Sequence, residues 1–147
     1  MNFLAIDLEM NQPSGTIIQV GVYIFNDKGE ELQSSRIYIN SGETLNPEIA
    51  TLTGIKQEQL DNGISLVSAF EQIKWLRDNY KCAKQPVVWG AAYSNDSHLF
   101  WKQTYKFTEE QIMSRTWEGG NPLGHRIIDV KSLWQTYCIF NGGSIKG

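Results

Sequence analysis

Cysteine is scarce in this sequence, and the shortage argues against two kinds of protein. The 147 residues include only Cys82 and Cys138, which form neither a CxxC pair nor a close cluster with histidine. A disulfide-stapled secreted domain and a cysteine-based zinc site are therefore not expected. We expect both thiols to be reduced, and we expect the protein to be intracellular, in the cytoplasm.

Positive charge and long apolar runs are also lacking. The formal net charge is −3, so no general basic field draws nucleic acid to the surface. This argues against a sequence-independent coat protein, but not against an enzyme that grips a few nucleotides through a metal. No apolar run approaches the ~20 residues of a membrane helix, and the N-terminus has no signal-peptide pattern. We expect no membrane association; oligomeric state stays open.

The residues that are present have a globular composition, 41% hydrophobic and 20% charged, without repeats or linkers. Three strand-like runs come first, "NFLAID", "TIIQVGVYIF" and "SRIYIN", and are typical of an antiparallel meander. Helical patterns then alternate with the strand-like runs "QPVVWG" and "HRIID". We predict one α/β domain over 1–147, with a mixed five-stranded sheet of three meander strands and two parallel strands and helices on both faces.

Two helices can be predicted in more detail. Pro47 and Gly54 bracket a short helix, proline in its first turn and glycine just past its end. After "HRIID", four apolar residues recur at helical spacing, which predicts one buried helix face: Val130, Leu133, Trp134 and Tyr137.

Three acidic residues stand where strands are predicted to end. Asp7 and Glu9 are two residues apart, so in a strand both carboxylates face the same side. Asp96 opens the helix after the fourth strand, and meets them if the two strands are neighbours. Three converging carboxylates suit Mg²⁺ or Mn²⁺. Each acid also has a simpler interpretation, as a solvated strand edge for the pair and as a favourable helix-dipole contact for Asp96.

The combination of three segments resembles the DEDD superfamily of proofreading-type 3′–5′ exonucleases, which have a ribonuclease-H-like fold. These segments are "AIDLEM", "NPEIATLTGI" and "WGAAYSNDSHLF", and they occur in the order expected for that family over most of the chain. "DLEM" is especially similar to the first motif of the oligoribonuclease branch. The resemblance implies metal-dependent hydrolysis of the last phosphodiester of single-stranded DNA or RNA, releasing nucleoside monophosphates.

The resemblance also implies roles for individual residues. Asp7, Glu9 and Asp96 match the family's metal-binding acids and would hold two Mg²⁺ or Mn²⁺ ions. Two groups would contact the single-stranded 3′ end. Met10 and Asn11 would lie beside the terminal sugar-phosphate. Leu52, Thr53 and Ile55 would form a wedge under the terminal base; a local hydrophobic cap is the alternative for this group.

A third family motif is not found. It consists of a His or Tyr general base followed within one helical turn by a fourth acid. His125 and Asp129 have a suggestive spacing, but we predict a strand there, in which positions four apart are ~13 Å apart. We instead expect Asp129 to cap the following helix and His98 to lie on a helix surface. The chain thus resembles a C-terminally shortened exonuclease domain, and losing a base costs typically 10²–10⁴-fold in rate.

Two rival hypotheses stay open. The first is a non-catalytic module that binds nucleic acid or protein and keeps the fold without the chemistry, as the missing third motif suggests. The retained acids argue against it. The second is an endonuclease on the same ribonuclease-H-like fold, which would cleave a circular single strand.

Overall fold

The computed structural model describes residues 1–83, 87–89, 96–110 and 127–142. Its strands are β1 (Asn2–Met10), β2 (Ile17–Asn26), β3 (Glu31–Tyr38), β4 (Val87–Trp89) and β5 (Ile127–Asp129). Its helices are α1 (Pro47–Thr53), α2 (Gln57–Asp61), α3 (Leu66–Asn79), α4 (Asp96–Glu110) and α5 (Val130–Phe140). All five strands form one sheet in the order β3-β2-β1-β4-β5. The β1–β2 and β2–β3 pairs are antiparallel and the other two are parallel, which confirms the predicted mixed sheet.

Strand β1 lies in the middle of the sheet and alternates between two environments. Leu4, Ile6 and Leu8 are buried, and they point into the main core beneath α3. On α3 the buried residues recur at helical spacing and meet this face of the sheet, with Phe70 and Ile73 almost fully buried. Burying each such side chain contributes about 1.5–3 kcal/mol. This core holds β1 so that its odd-numbered residues face away from α3.

Helix α1 begins and ends as the sequence predicts. The side chain of Asn46 accepts a hydrogen bond from the Glu48 N–H at 2.8 Å, and Pro47 occupies the first helical position. Gly54 ends the helix with φ = 74°, a left-handed conformation that favours glycine. The short helix α2, which follows directly, was not predicted.

Helix α5 differs from its prediction. Asp129 caps it as expected, since its carboxylate accepts hydrogen bonds from the N–H and the hydroxyl of Ser132. Its apolar face, however, is exposed in the described part of the chain, at Val130, Leu133, Trp134 and Tyr137, and the exposed Ile139 and Phe140 follow near the end of the helix. The prediction of a buried face was wrong because helical spacing shows which residues share a face and not whether another element covers it.

Two further expectations concern the thiols and the membrane. Cys82 and Cys138 are both free, as predicted, and both are buried. Among the described residues, no helix is long and apolar enough to cross a bilayer.

Candidate active site

The two acids of β1 lie on the side of the sheet opposite the main core. Asp7 is exposed and Glu9 is half-buried, while Leu8 between them points inward. Asp7 pairs with Gly21 of β2, and both line an open groove of about 550 Å³ on this face of the sheet. Solvent and small ions therefore have access to the Asp7 carboxylate.

Asp96 reaches β1 from the start of α4. The parallel ladder between β1 and β4 ends at the Ile6–Trp89 pair. Two residues further along β1, the Leu8 N–H donates to the Asp96 carboxylate at 3.2 Å. The side chain of Asp96 is only 6% exposed, so this bond compensates part of the cost of burying a charged group. Strands β1 and β4 are thus neighbours, which is the condition set for the three carboxylates to converge, and Asp96 is bonded to β1 between Asp7 and Glu9.

The three carboxylates influence one another electrostatically. Burial raises the pKa of Glu9, and the negative charges of Asp7 and Asp96 raise it further. Burial likewise raises the pKa of Asp96; the Leu8 hydrogen bond opposes this and the charge of Asp7 adds to it. A bound cation would relieve this repulsion.

The donor set fits a hard divalent cation, because it consists of carboxylate oxygens alone. As the side chains stand, no three His, Cys, Asp or Glu residues within the described ranges are grouped closely enough to hold one metal ion. To share one ion, the three carboxylates would therefore have to come closer together.

Replacing Asp96 with asparagine is expected to stabilise the metal-free protein. The amide oxygen can still accept from the Leu8 N–H, while the buried negative charge is lost. In EDTA at pH 7 we expect a gain of about 1 kcal/mol, or roughly 2–4 °C in Tm. Since the pKa of Asp96 is raised on folding, its ionised form is the destabilising one, and the penalty disappears as pH falls through that pKa toward the unfolded value.

The advantage of Asp96→Asn should therefore shrink as the pH is lowered from 7 through the raised pKa of Asp96, which thermal melts at a series of pH values would measure. Asp27→Asn is the matched control, because it removes the same charge from an exposed pair with the N-terminal amine. A less stable Asp96→Asn protein at pH 7 would contradict the assignment of a destabilising charge.

Of the two predicted sugar-phosphate contacts, Asn11 is fully engaged within the protein. Its side chain is 3% exposed, and its amide nitrogen donates to Glu43 at 3.1 Å and to the Thr44 carbonyl at 2.9 Å. Its amide oxygen accepts from the Asn46 N–H at 2.9 Å. We therefore no longer expect Asn11 to touch substrate. Met10 is partly buried against the main core.

The predicted base wedge divides into an exposed and a buried part. Leu52 is 81% exposed on α1, which buries none of its own residues. Thr53 uses its hydroxyl to donate to the Ile49 carbonyl at 2.7 Å. Ile55 is 4% exposed and belongs to a small core with Ile18 and two leucines beneath α1. Ile55 thus supports the helix from below, and Leu52 alone has an apolar side chain free to meet a base.

Of the residues considered for the third motif, His125 lies outside the described residues. Asp129 is level with Trp89 and Ile6 in the sheet and caps α5, as described above. His98 is exposed on α4, as predicted. The residues that sequence reasoning missed are Glu43 and Gln103, whose contacts span more than twenty-five residues and leave no local signal.

The mixed sheet carries Asp7 and Glu9 on its central strand, and Asp96 is hydrogen-bonded to the same strand. A family model described as Exonuclease, RNase_T, matches residues 4–116. The chain therefore belongs to this exonuclease family. No curated protein matches the sequence significantly.

Solved structures of exonucleases share the fold at low sequence identity. The nuclease domain of 3′hExo, a DEDDh family member bound to rAMP, superposes with a TM-score of 0.69 at 16% identity, covering 98% of this chain and 72% of that one. Cell-death related nuclease 4 (CRN-4) superposes with a TM-score of 0.70 at 15% identity, covering 97% of this chain and 49% of that one. A full-length 3′-exonuclease superposes with a TM-score of 0.59 at 18% identity, covering 71% of this chain and 53% of that one. The chain thus spans about half the length of the last two proteins.

Proposed function

We propose that this protein is a metal-dependent 3′–5′ exonuclease that hydrolyses the terminal phosphodiester of single-stranded DNA or RNA and releases nucleoside monophosphates. The observation that carries the proposal is the meeting of Asp96 with the strand of Asp7 and Glu9 through the Leu8 N–H. Family membership supports the reaction class. The charge of Asp7 raises the pKa of both Glu9 and Asp96, and such like charges are costly to keep together unless they bind a cation.

In the proposed reaction Asp7, Glu9 and Asp96 would hold Mg²⁺ or Mn²⁺. Two such ions, when bound, would supply an activated water and stabilise the leaving oxygen. The protein's own residues position the scissile phosphate. Asp96 is fixed by its hydrogen bond to β1, and Leu52 lies exposed on α1, where a terminal base can rest against it. The 3′ end would enter between α1 and the acids.

The general base and the fourth acid are not among the residues assigned here. We propose that the chain as given has weak activity, since the third motif is not recognised in its sequence.

The test is the pattern of products from 5′-labelled single-stranded DNA and RNA incubated with Mn²⁺. A one-nucleotide ladder from the 3′ end, abolished by EDTA, is expected, and it should be faint because the third motif is not recognised in the sequence. Cleavage of a circular single strand would instead establish an endonuclease. No cleavage of any of these substrates would contradict the proposal.

A second candidate is a non-catalytic binding module. It is favoured by the absence, within the described ranges, of three metal-ligating side chains already grouped for an ion. Mn²⁺ titration separates the two functions, because a module relieved of catalysis should not bind Mn²⁺ at these acids.

Replacing Leu52 with alanine is expected to weaken binding of a 3′ end without lowering stability. Side chains on which a base stacks contribute roughly 1–3 kcal/mol to the binding free energy. At the lower end of that range, loss of the Leu52 side chain raises the Kd of a short single strand about tenfold. Leu32→Ala is the control, because Leu32 is an exposed leucine on edge strand β3. Fluorescence anisotropy of a labelled tetranucleotide would measure both, and equal Kd values would exclude Leu52 from the site.

A further inference from the structure

Several hydrogen bonds hold the turn that follows Glu9 in place. Strand β1 changes register between Glu9 and Met10, and the chain then turns back into β2. The Asn11 N–H donates to the Thr16 carbonyl at 2.8 Å, and the Gly15 N–H donates to the Asn11 carbonyl at 2.9 Å. This turn, residues 11–16, begins only two residues after Glu9, so its position is coupled directly to that of the acid.

Glu43 joins the turn to the segment that leads into α1. Its carboxylate accepts from Ser14 at 2.8 Å, from Thr16 at 2.9 Å and from the Asn11 amide at 3.1 Å. The bond from Ser14 first, and those from Asn11 and Thr16 after it, lower the pKa of Glu43, so the carboxylate is charged at neutral pH. Hydrogen bonds to a charged acceptor are stronger than neutral ones.

Asn11 and Asn46 complete the connection to α1. Asn11 accepts from the Asn46 N–H, and Asn46 donates its own side-chain amide to the Gln12 carbonyl at 3.1 Å. Asn46 is also the N-cap of α1, so the residue that caps the helix donates two hydrogen bonds to the turn, one from its backbone N–H and one from its side-chain amide. Leu52 follows six residues later in the same rigid helix.

Gln103 connects the same turn to α4. Its side-chain nitrogen donates to the Gly15 carbonyl at 2.9 Å, and its side-chain oxygen accepts from the Ile17 N–H at 3.1 Å. Gln103 lies two turns beyond Asp96 on that helix. The turn therefore continues β1, which carries Asp7 and Glu9. It is also hydrogen-bonded to the N-cap of α1, the helix of Leu52, and to α4, the helix of Asp96.

We propose that Asn11 and Glu43 are positioning residues that fix the distance between the metal-binding acids and the Leu52 surface, and so set how a nucleotide is held. This inference rests on the proposed function. Both donor hydrogens of the buried Asn11 amide are used inside the protein, which leaves none for a phosphate or a sugar. Its effect on substrate must therefore pass through α1.

The experiment measures two affinities in Asn11→Ala, the Kd of Mn²⁺ alone and the Kd of adenosine 5′-monophosphate in the presence of Mn²⁺. We expect Mn²⁺ affinity to stay within about twofold of wild type, and nucleotide affinity to fall about tenfold, because the turn loses the three bonds of the Asn11 side chain to Glu43, Thr44 and Asn46. A variant that is merely destabilised but folded would change neither affinity.

Asn26→Ala is the matched control. Asn26 also makes three side-chain hydrogen bonds in a turn, to Lys28 and twice to Glu30, but at the opposite end of the sheet. It should lower Tm without changing either Kd. Glu43→Gln provides a second test if Asn11→Ala does not fold, since it keeps the shape and removes the charge, and it should weaken nucleotide binding selectively.

The outcomes are distinguishable. Wild-type nucleotide affinity in the folded variant, or equal losses of Mn²⁺ and nucleotide affinity, would overturn the positioning role and leave the proposed function intact. Failure of the wild-type protein to bind either Mn²⁺ or the nucleotide would overturn the proposed function and this inference with it.

Discussion

Asp7→Asn is expected to abolish Mn²⁺-dependent nucleotide release and to weaken Mn²⁺ binding strongly. Asp7 is an exposed acid of the central strand, and it contributes to the raised pKa of both Glu9 and Asp96. Asparagine keeps the volume but offers one neutral oxygen, a poor ligand for a hard cation. Removing one group that stabilises developing charge costs about 10²–10³-fold in rate, and we expect at least that loss. Calorimetric titration with Mn²⁺ does not require turnover and is the primary measurement.

Two controls make the Asp7 result specific. Asp61→Asn removes the same charge from an exposed position on α2, and should leave Mn²⁺ binding and cleavage unchanged. Tm of Asp7→Asn should equal or exceed that of wild type without metal, because a like-charge repulsion is removed. Undiminished Mn²⁺ affinity in Asp7→Asn would show that the ion binds elsewhere and would refute the assignment of the acids.

Phe100→Ala is expected to cost about 3–5 kcal/mol of the free energy of unfolding. Phe100 is almost fully buried between Trp89 at 5.8 Å and Phe70 at 6.0 Å, measured between ring centroids. It thereby joins α4 to β4 and α3. Since domains are stable by only ~5–15 kcal/mol in total, this loss brings the protein close to unfolding at ambient temperature. Urea denaturation followed by tryptophan fluorescence would measure it.

The contrast with Leu52→Ala separates packing from binding. Leu52 is apolar but exposed, so its truncation should change stability by less than about 0.5 kcal/mol. Phe100→Ala should move the urea midpoint strongly, and Leu52→Ala should move only the nucleotide affinity. A loss below about 1 kcal/mol for Phe100→Ala would mean that the aromatic contacts of α4 are not formed in solution.

The sequence predicts those parts of the fold that depend on neighbouring residues alone. Asn46, Pro47 and Gly54 define α1 because capping and left-handed backbone are properties of single residues and their neighbours. The alternation of Leu4, Ile6 and Leu8 identifies β1 as a strand. The resemblance to a family then predicted that Asp96 lies near β1. No local pattern could predict this, since Leu8 and Asp96 are 88 positions apart in the sequence.

The parts that could not be predicted depend on distant partners. Asn11 looked available for substrate, but Glu43 and Asn46, more than thirty residues away in sequence, use its amide. The apolar face of α5 looked buried, but burial requires a second element. Helix α2 has only five residues and begins after Lys56, which is not a usual N-cap residue. In each case the local pattern is compatible with either outcome.

The interleaving of acids and core residues on β1 restricts how this segment can evolve. Asp7 and Glu9 alternate with Ile6 and Leu8, so one face of the strand carries the carboxylates and the other carries core residues. Inserting or deleting a single residue here would turn the carboxylates toward α3 and the aliphatic side chains toward solvent. The segment can therefore accept point substitutions within each face, but it cannot change its length, and insertions should accumulate only beyond the strand ends.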